Sequence, residues 1–138
     1  MRVFLDTHII VYAYDSAEID RHPIAVRVID GLLTESDEVV ISPQVAREFV
    51  NTMKRKGTPP ATLTLQICGL SAFEMNAPTL ATISAAWALC TVHSIAWYDA
   101  IIVQSALDAN CTQLYSEDLQ NGCVFSGRLT VVNPFAAT

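Results

Sequence analysis

Short apolar runs alternate with longer segments of helical character along this chain. Four runs are too short for a helical period and predict buried strands, at residues 1–5, 38–41, 112–116 and 129–132. The longer segments predict helices at residues 7–14, 23–33, 42–56, 62–73, 79–91 and 97–110, with a further short strand or turn at 74–78. This alternation indicates an α/β domain with a central parallel sheet of four or five strands, covered by helices on both faces.

The helix predicted over residues 42–56 has the clearest boundaries. Ser42 is a good N-cap and Pro43 a good first helical residue. Residues 57–60, Gly-Thr-Pro-Pro, end it. The chain shows no repeats, low-complexity segment or linker, so we expect residues 1–138 to form a single domain.

Apolar residues make up 51% of the 138-residue chain, which is high for so short a globular protein. Residues 9–14, Ile-Ile-Val-Tyr-Ala-Tyr, are apolar on more faces than one contact with a sheet needs. We therefore expect a partner or a second copy to cover part of the surface, and a symmetric homodimer is the commonest such assembly.

The formal net charge of −6 argues against a protein that binds nucleic acid through general electrostatic attraction. It argues less strongly against a metal-dependent nuclease, because bound cations reverse the local sign of an acidic site. The four cysteines form no C-x-x-C pair, so neither a zinc site nor a redox motif is indicated, and free thiols favour the cytoplasm. Residues 77–106, the most apolar stretch, contain His93 and Asp99 and predict no membrane span. We expect neither membrane contact nor an organic cofactor.

Four carboxylates lie where an α/β chain would bring them together. Asp6 and Asp118 each follow an apolar run, and in open parallel sheets ligands bind outside the carboxyl ends of the strands. Glu48 and Asp99 lie on predicted helices next to such ends. Clustered carboxylates without partner cations repel one another, and some would have to take up protons. A hard divalent cation removes that conflict, so the set predicts a Mg²⁺ or Mn²⁺ site.

Each carboxylate also has a purely structural explanation. Asp6 could cap the helix that follows it, and Asp118 could belong to a turn. Asp99 could stabilise a helix N-terminus through the macrodipole. Glu48 borders an apolar stripe, where an acid is costly unless it binds a metal or pairs with a nearby arginine. No single acid is diagnostic, and the metal-site prediction depends on the whole set.

Five stretches of the sequence resemble PIN-domain ribonucleases, and more narrowly the VapC toxins of toxin–antitoxin pairs. They span nearly the whole chain and are Val-Phe-Leu-Asp-Thr at 3–7, Ser-Pro-Gln-Val-Ala-Arg-Glu-Phe at 42–49, Tyr-Asp-Ala-Ile-Ile-Val at 98–103, Leu-Tyr-Ser-Glu-Asp-Leu-Gln-Asn-Gly at 114–122 and Leu-Thr-Val-Val-Asn-Pro-Phe at 129–135. The acidic block at 114–122 is the most specific. Two positions depart from the family pattern: His8 stands where the family places Asn, and Ala96 stands near a position where it often has Ser or Thr.

The resemblance implies a three-layer PIN-like fold and a Mg²⁺- or Mn²⁺-dependent endoribonuclease that a cognate antitoxin inhibits. The family's four acids match, in order, Asp6, Glu48, Asp99 and Asp118. We expect the first, third and fourth to bind the metal ion, and Glu48 to complete the site or to orient the attacking water.

Two hydroxyl side chains, Thr7 and Ser116, stand next to these acids in the sequence. They are candidates for the hydrogen bonds that orient metal-binding carboxylates. The alternative is that they are ordinary turn and cap hydroxyls.

An RNA substrate must be held despite the acidic balance of the chain. Lys54 and Arg55 belong to the only dense basic run. On a helix, Glu48, Asn51 and Arg55 form one continuous stripe, which predicts a path from the metal site to a phosphate contact. The alternative is a solvated helix C-terminus whose cations complement the helix dipole.

Two other functions remain open on the sequence. One is a different carboxylate–Mg²⁺ phosphoryl-transfer enzyme with Asp6 as its nucleophile, although that chemistry usually wants a second acid two residues on, where this chain has His8. The other is a catalytically silent PIN-like module that acts only by binding a partner. The presence of all four acids counts against it.

Overall fold

The computed structural model describes residues 1–35 and 37–136. Its elements follow in the order β1 (Arg2–Leu5), α1 (Thr7–Tyr14), α2 (Arg21–Thr34), β2 (Glu38–Ile41), α3 (Pro43–Arg55), α4 (Pro60–Gly69), a 3-10 turn (Leu70–Ala72), β3 (Glu74–Met75), α5 (Leu80–His93), α6 (Trp97–Asp108), β4 (Gln113–Tyr115), β5 (Val124–Phe125) and β6 (Leu129–Val132). The single domain expected over residues 1–138 includes residues 36, 137 and 138, which lie outside the described residues.

A six-stranded sheet forms the centre of the fold, in the order β3-β2-β1-β4-β6-β5. Neighbouring strands from β3 to β6 are parallel, and β5 pairs antiparallel with β6. The predicted α/β fold is confirmed, and the sheet has five parallel strands and one antiparallel strand where a parallel sheet of four or five was predicted. The antiparallel β5 was not predicted, because a strand of two residues is too short to show any alternation.

Two groups of helices flank this sheet in a three-layer arrangement. Helix α1 packs against α2 and α3, and α5 packs against α6. The central strand β1 carries Val3, Phe4 and Leu5, all fully buried. A strand buried on both faces reads as a continuous apolar run, which is why residues 1–5 were recognisable in the sequence.

Two helices begin at the polar residues that follow β1 and β2. The Asp6 carboxylate caps α1 by accepting a hydrogen bond from the Thr7 backbone N–H at 2.7 Å. The Ser42 hydroxyl caps α3 by accepting one from Val45 at 3.4 Å, and Pro43 is the first helical residue. Both strands therefore turn into helices at the carboxyl edge of the sheet, where ligand sites form in such folds.

Residues 9–14 contribute only Tyr14, which is 40% exposed, to the large apolar side chains at the surface. Ile9, Ile10 and Val11 are buried in the core of this same chain. Large exposed apolar side chains instead occur on α4 and α5, among them Leu65 and Leu80. Residues 57–98 contain a single Asp, Glu, Lys or Arg, which is Glu74, together with one histidine, His93. None of the described helices is long and apolar enough to cross a membrane.

Candidate metal centre

Asp6 lies where β1 ends and α1 begins, and only 6% of its surface is exposed. Its Oδ1 accepts the hydrogen bond from the Thr7 N–H that caps α1. Its Oδ2 accepts a hydrogen bond from the Ser116 hydroxyl at 2.8 Å. The same Ser116 hydroxyl accepts one from the Asp118 backbone N–H at 3.2 Å. Asp6 is thus a helix cap, as one interpretation of the sequence held, and is also fixed to the loop after β4.

Three of the four predicted carboxylates converge in space. Asp6, Asp99 and Asp118 each offer a carboxylate oxygen, and these oxygens lie within 4.8 Å of one another. Asp6 comes from the end of β1, Asp99 from the first turn of α6 and Asp118 from the loop after β4. The group runs from buried Asp6 through half-buried Asp99 to exposed Asp118, so it opens to solvent on one side.

Glu48 lies on α3 and contacts the same region through a hydrogen bond with Thr7, the residue after Asp6. Its Oε2 accepts a hydrogen bond from the Thr7 hydroxyl at 2.7 Å, and its Oε1 accepts one from the Gln44 side-chain amide at 3.0 Å. Within the part of the chain that the structure describes, Glu48 forms no ion pair with an arginine. Sequence reasoning alone missed Gln44, although its spacing of four residues from Glu48 on a helix was an available signal.

Burial and mutual repulsion make these carboxylates hard to ionise. Burial raises the pKa of Asp6 from 3.8 to about 6, against the opposing effect of the hydrogen bonds from Ser116 and Thr7. The charges of Asp118 and Asp99 add to the increase. The pKa of Asp99 is also raised, first by burial and then by Asp118 and Glu48.

The donor set fits a hard divalent cation. The described residues include no Lys or Arg nitrogen within ion-pair distance of Asp6, Glu48, Asp99 or Asp118. Carboxylate oxygens are the ligands that Mg²⁺ and Mn²⁺ prefer, and a cation would favour the ionised form that burial now disfavours.

His8 and Glu117 lie next to Asp118 and form a second group with it. His8 Nδ1 lies 3.6 Å from Asp118 Oδ2. Glu117 accepts hydrogen bonds from the Tyr12 hydroxyl and, at 3.0 Å, from Arg21 Nε. Nitrogen or oxygen atoms of His8, Glu117 and Asp118 lie within 4.8 Å of one another. Glu117 was not predicted as a site residue, because position in a loop does not tell which way a side chain points.

An open cleft of about 700 Å³ adjoins Glu48 and His8. The predicted stripe of Glu48, Asn51 and Arg55 lies along it, and its lining is completed by Thr7, His8, Thr52 and Lys54. Arg55 donates a hydrogen bond to the Thr52 hydroxyl at 3.3 Å, so the guanidinium keeps further N–H groups free for a ligand. Lys56, in contrast, pairs with Asp15 at 2.8 Å away from this cleft.

Comparisons with known proteins agree with the fold. Three similar solved structures cover most of this chain. A toxin–antitoxin complex from Klebsiella pneumoniae has a TM-score of 0.74 at 17% identity, with 96% of this chain and 97% of that chain covered. The sarcin–ricin loop cleaving toxin VapC20 from Mycobacterium tuberculosis has a TM-score of 0.66 at 18% identity, covering 81% and 86%. VapBC2 from Rickettsia felis, bound to a DNA fragment from its promoter, has a TM-score of 0.65 at 20% identity, covering 84% and 86%.

Sequence comparison identifies the family. No curated protein matches the chain by sequence. The family model of the PIN domain matches residues 3–120, which is most of the chain and includes all four predicted carboxylates. The chain belongs to the PIN-domain family.

Proposed function

We propose that this protein is a metal-dependent endoribonuclease that hydrolyses phosphodiester bonds in RNA. The observation that carries the proposal is the convergence of Asp6, Asp99 and Asp118 within 4.8 Å at the carboxyl edge of the sheet, where no described Lys or Arg pairs with them. These three residues would hold Mg²⁺ or Mn²⁺. When bound, such a cation supplies positive charge that activates water and stabilises phosphate oxygens.

Glu48 is the residue proposed to orient the attacking water and to accept its proton. The Thr7 hydroxyl and the Gln44 amide fix the carboxylate, and its oxygens keep unused lone pairs that can accept a further hydrogen bond. As the water oxygen bonds to phosphorus, the bond to the leaving sugar oxygen breaks, and solvent protonates that oxygen. Thr7 and Ser116 act by orienting Glu48 and Asp6 rather than by touching the substrate.

Arg55, Lys54 and Asn51 are the residues proposed to hold the RNA backbone. They line the cleft that begins at Glu48, so a strand bound there would place one phosphate near the carboxylates and another near the cations. The positive charges of Arg55 and Lys54, with that of the metal ion, offset the acidic balance of the chain where the substrate lies. Such contacts position a strand but do not read its bases.

We further propose that the protein acts in the cell as the toxin of a type II toxin–antitoxin pair. The similar Klebsiella structure is a toxin–antitoxin complex, and the sequence stretches described above resemble VapC toxins. The nearly uncharged segment 57–98 offers exposed apolar side chains that a homodimer and an antitoxin could cover. We propose a cytoplasmic location, because the cytoplasm is reducing and contains the RNA that this enzyme would cleave.

Chelation tests the enzymatic proposal on the unmodified protein. Purified protein should cut single-stranded RNA in Mn²⁺ or Mg²⁺, stop in EDTA, and recover when the cation is restored. Cleavage that continues in EDTA would contradict the metal dependence. An absence of cleavage under all ion conditions, together with tight binding of a protein partner, would favour the silent binding module instead.

A further inference from the structure

A second group of metal-binding side chains lies next to the proposed catalytic group and shares Asp118 with it. We propose that His8, Glu117 and Asp118 form a separate cation position that takes a transition ion, such as Zn²⁺, in preference to Mg²⁺. The inference deepens the proposed function, because a second position would extend the same centre. It can still hold if the protein cuts no RNA.

The imidazole of His8 is free to bind such an ion. Its Nδ1 lies 3.6 Å from Asp118 Oδ2, within ion-pair distance but too far for a hydrogen bond, so one cation could bind both atoms. Among the described residues, none hydrogen-bonds to the His8 ring. The ring lies in the first turn of α1, with its centre 5.9 Å from that of Tyr12 one turn later.

Two hydrogen-bond donors hold the Glu117 carboxylate in place. The Tyr12 hydroxyl and Arg21 Nε donate to its two oxygens, and each oxygen keeps a second lone pair. The Arg21 guanidinium lies over the rings of Tyr12 and Phe135, at 5.6 and 5.7 Å from their centres. The carboxylate is thus fixed by partners that leave room for a third ligand atom.

The charge at this position favours a transition ion over Mg²⁺. Arg21 offsets one of the two carboxylates, so less negative charge faces this position than faces the group of Asp6, Asp99 and Asp118. Mg²⁺ depends on charged oxygen ligands. An imidazole nitrogen suits Zn²⁺ and similar ions, because ligand type adds to their affinity beyond charge alone. The two neighbouring groups should therefore prefer different cations.

Zinc titration followed by NMR of the histidine rings tests the inference. The chain has three histidines, and two serve as internal controls. His22 Nδ1 already contacts the Tyr12 carbonyl at 2.8 Å, and His93 packs against Phe125. Zn²⁺ should shift the ring signals of His8 and leave those of His22 and His93 in place. Unmoved His8 signals at saturating Zn²⁺ would overturn the inference.

Calorimetry on two variants assigns the ion to its position. His8→Asn should weaken Zn²⁺ binding by at least about tenfold, the lower bound for loss of an outer-shell partner, and change Mg²⁺ affinity less than twofold. Asp99→Asn should weaken Mg²⁺ binding and leave Zn²⁺ affinity within about twofold, since Asp99 belongs only to the first group. Equal Zn²⁺ affinity in His8→Asn and the parent would overturn the inference. Zinc binding through His8 in a protein that cuts no RNA would refute the proposed function alone.

Discussion

Asp6 shows, at the scale of one residue, a conflict between stability and metal binding. Its carboxylate is buried beside two other acids, and its pKa is raised to about 6. A group with a raised carboxyl pKa stabilises the fold when protonated, and that contribution is lost as the pH rises from the unfolded value of 3.8 through the folded value of about 6. At neutral pH, the ionised Asp6 carboxylate therefore destabilises the fold of the metal-free protein.

Asp6→Asn should remove that pH dependence. At about 1.4 kcal/mol per pKa unit, the free energy of unfolding of the variant relative to the parent should rise by roughly 2.5 kcal/mol between pH 4 and pH 8. Urea unfolding in EDTA at both values measures it, and any constant effect of altered hydrogen bonds cancels in the comparison. Glu35→Gln, at an exposed acid outside the centre, is the control. If the free energy of unfolding changed with pH in the same way in the parent and in Asp6→Asn, ionisation of Asp6 would not destabilise the fold.

Arg55 permits a test of the substrate path. Arg55→Ala should weaken RNA binding about equally for all sequences and lower the salt dependence by roughly one unit of slope, with Mn²⁺ affinity nearly unchanged. Lys56→Ala is a matched control, since it removes one neighbouring charge that pairs with Asp15 instead of lining the cleft. If Arg55 only complements the helix dipole, the variant loses about 0.3–1 kcal/mol of stability and binds RNA like the parent.

The positions of the four acids could be predicted from the sequence, but not their partners. Asp6 and Asp118 follow recognisable apolar runs, and the carboxyl ends of neighbouring parallel strands meet at one edge. The contacts of Glu48 with Thr7, and of Glu117 with Tyr12, join residues far apart in the chain. Side-chain directions of that kind depend on how helices pack, which no local pattern contains.

At the scale of elements, the bond between Thr7 and Glu48 joins α1 to α3 across the candidate centre. Thr7→Val keeps the shape of the side chain and deletes the donor. Cleavage should fall by about 10- to 100-fold, the usual cost of losing an orienting contact, while Mn²⁺ affinity stays within about twofold because Glu48 is not proposed as a ligand. Thr64→Val is the control, since that hydroxyl bonds only within α4. Equal cleavage rates in both variants would contradict the claim that Thr7 orients Glu48 for cleavage.

Most helices and strands could be predicted from the sequence. Helix α3 begins at the predicted cap Ser42, and its end at Arg55 lies just before the predicted breaker at residues 57–60. The least certain elements lie at the edges of the sheet and have two residues each: β3 was predicted only as a strand or a turn, and β5 was not predicted. Strands of that length exist because a neighbour supplies their hydrogen bonds, so their own sequence carries little signal.

The distribution of charge is the main feature of the whole molecule. Residues 57–98 hold one Asp, Glu, Lys or Arg side chain, whereas the candidate centre gathers several acids. Helix α5 lies within that segment and exposes Trp87 and Val92. A helix that is apolar all round is normally covered, so α5 is the surface on which we expect a second copy to pack.

Ala88→Glu tests that assembly without removing a core contact, because Ala88 is exposed in the middle of α5. The parent should be a dimer by light scattering at micromolar concentration, and the variant a folded monomer, since a buried unpaired charge is costly. Ala17→Glu adds the same charge on the turn between α1 and α2 and should stay dimeric. A monomeric parent would contradict the dimer, and a dimeric Ala88→Glu variant would move the interface away from α5.

RNA cleavage in Mn²⁺ by the Asp99→Asn variant, compared with Glu35→Gln, decides whether the clustered carboxylates form a catalytic centre. Each variant neutralises one carboxylate, but only Asp99 lies in the group within 4.8 Å. The account predicts that Asp99→Asn stays folded and loses at least about a hundredfold in rate, the upper end of the cost of losing an outer-shell contact, while Glu35→Gln cuts like the parent. Parental cleavage by a folded Asp99→Asn variant would contradict it.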